Sequence, residues 1–89
     1  MKVLIPTPLR QYTGKQPSVE LAATTVGETL SKLTSQYPDL RKQLFGGDGK
    51  LRGFVNVYVN DEDIRYLQSE NTPVSDSDTV SIVPSVAGG

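Results

Sequence analysis

The 89-residue chain contains no cysteine, no histidine and no tryptophan. Without cysteine there is no disulfide, no zinc–thiolate site and no thiol nucleophile. Without histidine the commonest general base and the commonest metal ligand are both missing. There is no block of like charge either. Nine Lys and Arg stand against ten Asp and Glu, for a formal charge of −1. That pattern carries no footprint for nucleic acid or for an anionic membrane. Long apolar runs are absent, and Met1–Leu9 holds two prolines, so it reads as neither signal peptide nor membrane span. No phosphate-binding glycine loop is present. The length argues for one domain, above the roughly 55–65 residues that can fold alone. The expected location is the cytoplasm, a reducing compartment that suits a thiol-free chain, and the free protein is expected to be a monomer.

What is present is a sequence of alternating periods. In Lys2–Leu9, Val3, Ile5, Thr7 and Leu9 share one side of a two-residue repeat, which predicts a half-buried strand. Pro6 and Pro8 lack N–H donors, so its outer half should pair poorly. Gln11–Gln16 reads as a turn around Gly14. Val19, Leu21 and Ala23 alternate again, and the two runs predict a hairpin. The period then changes. Thr25 stands three residues before Glu28, a capping-box signature. Val26, Leu30, Leu33 and Tyr37 follow at helical spacing. Pro38 should end that helix, because the residue before proline is pushed out of the α region. Leu40, Leu44 and Phe45 predict a short second helical turn, and the glycines at 46, 47 and 49 close it.

Phe54–Val59 is rich in β-branched and aromatic residues and predicts a strand. Val55, Val57 and Val59 take one face; Phe54, Asn56 and Tyr58 take the other. Asn60-Asp61 reads as a turn, with Ile64–Leu67 returning as a short edge strand. Asn71–Ser77 reads as a loop. Thr79–Val83 predicts a last strand with Val80 and Ile82 inward, stopped by Pro84.

Strand, strand, helix, strand, short strand, strand is the order of an α+β, ubiquitin-like β-grasp fold. A mixed sheet of four to five strands would wrap one main helix, with the first and last strands as central, parallel neighbours. The inward set is Val3, Ile5, Val19, Leu21, Val55, Val57, Val80 and Ile82, meeting Val26, Leu30 and Leu33. Each buried side chain is worth roughly 1.5–3 kcal/mol, the main term against chain entropy. On this reading residues 1–84 form the domain, and residues 85–89 are a flexible tail.

The tail, Ser85-Val86-Ala87-Gly88-Gly89, follows a strand and a proline stop. Its plain reading is a frayed end. Its chemical reading is access. Gly88 and Gly89 lack Cβ atoms, so a narrow active site could close around the backbone and reach the carboxylate of Gly89. A carboxylate is a poor acyl donor until it gains a leaving group. Activation would therefore need ATP and a partner enzyme.

Two stretches carry a resemblance: Phe54-Val55-Asn56-Val57-Tyr58-Val59-Asn60-Asp61-Glu62-Asp63, and Asp76 through Ser77-Asp78-Thr79-Val80-Ser81-Ile82-Val83-Pro84 to the Val-Ala-Gly-Gly ending. With Ile5-Pro6-Thr7-Pro8-Leu9-Arg10 and Thr13-Gly14, they resemble the MoaD/ThiS family of β-grasp sulfur carriers over essentially the whole length. The likeness is greatest to the branch that serves cysteine biosynthesis. The resemblance implies that the chain is not an enzyme but a carrier acted on by others. An E1-like enzyme would adenylate Gly89, and a sulfur source would convert it to a thiocarboxylate. A pyridoxal-phosphate-dependent cysteine synthase would accept the sulfur. A zinc metalloprotease of the JAMM type would release cysteine and restore the tail. ATP, pyridoxal phosphate and zinc would belong to those partners, and this chain would bind no cofactor or metal. Ser85, Val86, Ala87 and Gly88 would enter the partner active sites.

Other readings stand beside this one. A MoaD-like carrier would deliver sulfur to molybdopterin as a small synthase subunit, and a ThiS-like carrier to the thiazole of thiamine. A ubiquitin-like modifier would be joined through Gly89 to lysines of other proteins. A plain binding domain would leave the end inert. Phe54, Tyr58 and Val83 are candidates for a partner-docking face, extended by Leu4 and Pro6, or are ordinary cross-strand neighbours. The acidic run Asn60–Asp63 reads as a solvated hairpin tip rather than a cation loop. Asp76 and Asp78 read as turn formers. Arg41, Lys42, Lys50 and Arg52 form a loose basic region, read as solvated surface, with partner steering as the alternative.

Overall fold

A computed structural model describes residues 1–84. The first strand, β1, spans only Lys2–Leu4. Beyond Ile5 the chain does not continue the strand expected to reach Leu9; Thr7–Thr13 coils into a 3-10 helix. The prolines explain the difference. Pro6 is extended and precedes the helix, and Pro8 lies in its first turn, where a missing N–H costs nothing. Leu9 is buried all the same, and its N–H donates to the Pro6 carbonyl at 2.9 Å. The helix ends at Gly14, whose φ of +63° is left-handed. The second strand, β2 (Ser18–Glu20), pairs antiparallel with β1, placing Val3 opposite Val19.

Helix α1 covers Val26–Gln36. The Thr25 hydroxyl oxygen accepts from the Glu28 N–H at 3.1 Å, and Glu28 Oε1 accepts from the Thr24 N–H at 2.7 Å. This is the expected capping box, with the returning bond made one residue early. Pro38 ends α1 and opens α2 (Pro38–Leu44) as its first residue. The short turn expected at Leu40–Phe45 is thus a true helix that buries Leu40 and Leu44 fully.

Strand β3 is Val55–Val59. It starts one residue later than expected, leaving Phe54 in the preceding turn. Asn60 and Asp61 both take positive φ, +51° and +75°, the conformation a two-residue hairpin turn requires. The return strand β4 is Glu62–Asp63, with Val59 opposite Glu62. It is not Ile64–Leu67. Asp63 Oδ1 accepts from the Arg65 N–H at 2.9 Å, and Ile64–Tyr66 winds into a 3-10 turn that drives Ile64 into the core. The last strand, β5, spans Thr79–Pro84.

The sheet order is β2-β1-β5-β3-β4. β1 and β5 are parallel, and the other pairs are antiparallel. This is the mixed β-grasp sheet, with five strands. Val3, Ile5, Val19, Val55, Val57, Val80 and Ile82 pack with Val26, Leu30 and Leu33 in one core. Leu21 lies past the end of β2 and is only partly buried. Met1, Leu40, Leu44, Ile64 and Val74 join the core from outside the expected set.

Candidate functional site

The pairing register fixes what the outer face of the sheet presents. One row crosses all five strands: Ser18, Leu4, Ser81, Tyr58 and Asp63 are successive partners. Because side chains alternate along a strand, this row points away from the core valines. Val83 lies on the same face, one step nearer the chain end, opposite Asn56. Leu4 and Val83 are 40% and 44% exposed, and Phe54 is 46% exposed. Tyr58 and Pro6 are half-buried. Val83 and the turn holding Phe54 therefore lie beside the point where β5 ends, and Leu4 and Tyr58 flank Ser81 further back along the strand. Phe54 belongs to the turn before β3 rather than to the strand, and the register does not assign it to the row.

Arg65 closes one margin of this face. Its guanidinium donates to Asp63 Oδ2 at 2.7 Å and to Asn56 Oδ1 at 2.6 Å. The side-chain bond from Arg65, then its backbone N–H, holds the Asp63 carboxyl below the usual carboxylate range. Sequence reasoning missed Arg65, although Asp-x-Arg after a turn is a readable capping and pairing signal. It also missed Tyr66 and Leu67, which leave the sheet and are exposed at its edge, Tyr66 to 87%.

At the opposite end of β3, the hairpin tip is tied to the turn before β5. Asn60 Nδ2 donates to Asp78 Oδ1 at 2.7 Å, and the Thr79 N–H donates to Asn60 Oδ1 at 3.0 Å. Ser75 donates its N–H to the other Asp78 oxygen at 2.8 Å. The Asn60 bond, then that from Ser75, lowers the Asp78 pKa. Asp78 is a turn former, as its sequence context implies. Among the described residues, no group of three carboxylates gathers to hold a metal ion. Behind β3 an open groove of about 510 Å³ is lined by Lys50, Leu51, Arg52, Val55, Ile64 and Glu70, among others. The candidate tail residues Ser85, Val86, Ala87, Gly88 and Gly89 lie outside the described residues.

The model of the ThiS family matches residues 3–89, almost the entire chain. The chain belongs to the ThiS family. Its resemblance to sulfur carriers extends to individual proteins. The sulfur carrier protein CysO of Mycobacterium tuberculosis is 45% identical over 89 residues, covering 98% of this chain and 96% of that protein. CysO of Amycolatopsis orientalis, solved in complex with BexX, superposes with a TM-score of 0.88 at 43% identity, covering 99% of this chain and 98% of that one. The small archaeal modifier protein 1 of Methanosarcina acetivorans gives the same TM-score, 0.88, at 33% identity, covering 99% of this chain and 94% of that one. This ThiS-family chain is thus a homologue of sulfur carrier proteins, built on a fold that modifier proteins share. Among the described residues no helix is long and apolar enough to cross a membrane.

Proposed function

We propose that this protein carries sulfur on the carboxylate of Gly89, for cysteine biosynthesis. The observation that carries the reading is the full-length, 45% identity to a sulfur carrier protein. The fold supports it, because β5 delivers the chain to one end of the sheet beside an exposed apolar face.

The chemistry follows from the tail. An E1-like partner joins the Gly89 carboxylate oxygen to the α-phosphate of ATP and releases pyrophosphate. Sulfide attacks the acyl carbon, and AMP leaves with the bonding electron pair. The product is a terminal thiocarboxylate, whose sulfur is a better nucleophile than the oxygen it replaced. Gly88 and Gly89 let the partner site close on the backbone, and Ser85, Val86 and Ala87 span the distance from the sheet. The outer face with Leu4, Tyr58 and Val83 docks the partner, with Phe54 at its margin. A cysteine synthase holding pyridoxal phosphate then takes the sulfur, and a JAMM-type zinc protease frees the product. The chain itself is a co-substrate, not an enzyme.

A second reading, conjugation of Gly89 to lysines of other proteins, is favoured by the structural likeness to an archaeal modifier protein. Intact-mass spectrometry separates the two. The protein is incubated with ATP, sulfide and an E1-like enzyme encoded in the same genome. An oxygen-to-sulfur mass increase supports the carrier, as does a later cysteine adduct. High-mass isopeptide conjugates without sulfur exchange would replace it by the modifier. Sulfur loading followed by transfer to a pterin or thiazole acceptor would move the carrier to the MoaD-like or ThiS-like pathway.

A further inference from the structure

The charges of this nearly neutral chain are sorted by position. Four of its nine Lys and Arg residues, Arg41, Lys42, Lys50 and Arg52, lie within one short stretch that contains a single acid, Asp48. The fold gathers them. Arg52 donates through Nε and a terminal nitrogen to the Lys42 carbonyl at 3.2 and 3.0 Å, and its N–H reaches the Leu44 carbonyl at 2.8 Å. That seats the loop on the C-terminal end of α2, where cations are favoured by the helix dipole. Arg41 lies over the Phe45 ring at 5.3 Å. The acids near this cluster are Asp39 in the first turn of α2, Asp48, whose Oδ1 accepts from the Lys50 N–H, and, lining the groove, Glu70 and Asp63, the latter paired with Arg65. All four cationic side chains are exposed.

The cluster sits where the described chain ends. The Val55 N–H donates to the Arg52 carbonyl at 3.0 Å, and Val55 is the register partner of Pro84. The other end of the same strand pair is acidic. Val59 pairs with Val80 there, beside Asp61, Glu62, Asp76 and Asp78, against which stands Lys2, the partner of Thr79 and of Glu20. Four steps of strand separate Val55 from Val59, about 13 Å. This exceeds the Debye length of about 10 Å at 0.1 M salt. An approaching surface therefore responds to the nearer pole and not to the net charge.

We propose that the basic pole at the root of the tail orients the carrier tail-first toward an acidic protein surface surrounding the mouth of the partner's active site. The inference rests on the carrier reading above. Its chemistry is long-range steering, which raises association rates and falls steeply with ionic strength. A nucleic-acid duplex is the less fitting partner, because its charge runs continuously along its axis, past the roughly 13 Å between the poles, and would meet the acidic pole as well.

The test is a swap that preserves net charge. The double variant Lys50→Glu/Glu62→Lys exchanges two exposed residues between the poles, and circular dichroism checks its fold. Association with the E1-like enzyme is followed by stopped flow at about 20 mM and about 500 mM salt. The swap is expected to slow association at least about fivefold at low salt, with the two proteins converging at high salt. Equal rates at low salt would overturn the proposal, as would a low-salt shift of the wild-type protein by duplex DNA. If the wild-type protein gains no sulfur with that enzyme, the carrier reading fails first and the orientation proposal fails with it.

Discussion

Val55 stands directly opposite Pro84 in the antiparallel pairing of β3 and β5. That register places the end of the described chain next to the exposed Val83 and beside the turn that holds Phe54, while Leu4 and Tyr58 share the row through Ser81. Tyr58→Ala and Val83→Ala are expected to raise the KM of the activating enzyme for this protein about tenfold each, as truncations at an interface centre do. Val83→Ala should leave the unfolding midpoint within about 0.5 kcal/mol of the wild type, since the residue is largely exposed. Unchanged kinetics for both variants would remove the docking role of this face.

Asn60 is a second test of the same strand pair, at its other end. Its side chain accepts from the Thr79 N–H and donates to Asp78, and its backbone takes a positive φ. Asn60→Ala deletes both bonds and keeps a Cβ in a left-handed turn. It is expected to cost about 1–3 kcal/mol in urea denaturation.

Most of this framework is legible in the sequence, and the exceptions share a cause. Helix α1 announces itself because its cap, its period and its proline stop agree. The strands β3 and β5 announce themselves through β-branched alternation. Residues 7–13 and 64–66 do not, because the alternating stretches read there, Thr7–Leu9 and Ile64–Leu67, are too short for a period of two to be told from a 3-10 turn. There the deciding terms are local: the missing donor of Pro8 and the capping carboxylate of Asp63. The buried Leu40 and Leu44 were visible as a turn, but their helix is only seven residues long, and so short a helix is held by packing rather than propensity. Alternation already put Tyr58 and Val83 on the outer face, while the register adds that Leu4 and Tyr58 share a row through Ser81.

Leu40 makes that dependence on packing measurable. It is completely buried in the core although α2 looks marginal in the sequence. Leu40→Ala is expected to cost about 2–5 kcal/mol. The neighbouring Gln43→Ala should be close to neutral. Both are read from thermal or urea unfolding.

Two carboxylates make the stability sensitive to acid. The pKa of Asp63 is lowered by its bonds from Arg65, and that of Asp78 by those from Asn60 and Ser75. A depressed folded pKa means that the unfolded chain binds protons more readily. The contribution is therefore complete above the unfolded value of about 3.9 and is lost as pH falls through the folded value. Asp78→Asn should lower the urea midpoint at neutral pH and narrow its difference from the wild type below about pH 3. A variant as stable as the wild type at pH 7 would show that the turn gains nothing from the charge.

The tail prediction separates chemistry from folding most cleanly. The core and the sheet described above are built from residues 1–84, so Gly88→Val is expected to leave the unfolding midpoint unchanged. A Cβ with two methyl groups at that position would contact the walls of any channel narrow enough to align the Gly89 carboxylate with the α-phosphate of ATP. A misplacement of about 1 Å in such a step costs on the order of a hundredfold. Sulfur loading by the E1-like enzyme should fall by about that factor, mainly in kcat, because the docking face is intact. A rise in KM alone would place the glycine in binding rather than in alignment. A normal rate in both parameters would mean that no partner site closes around the end of this chain.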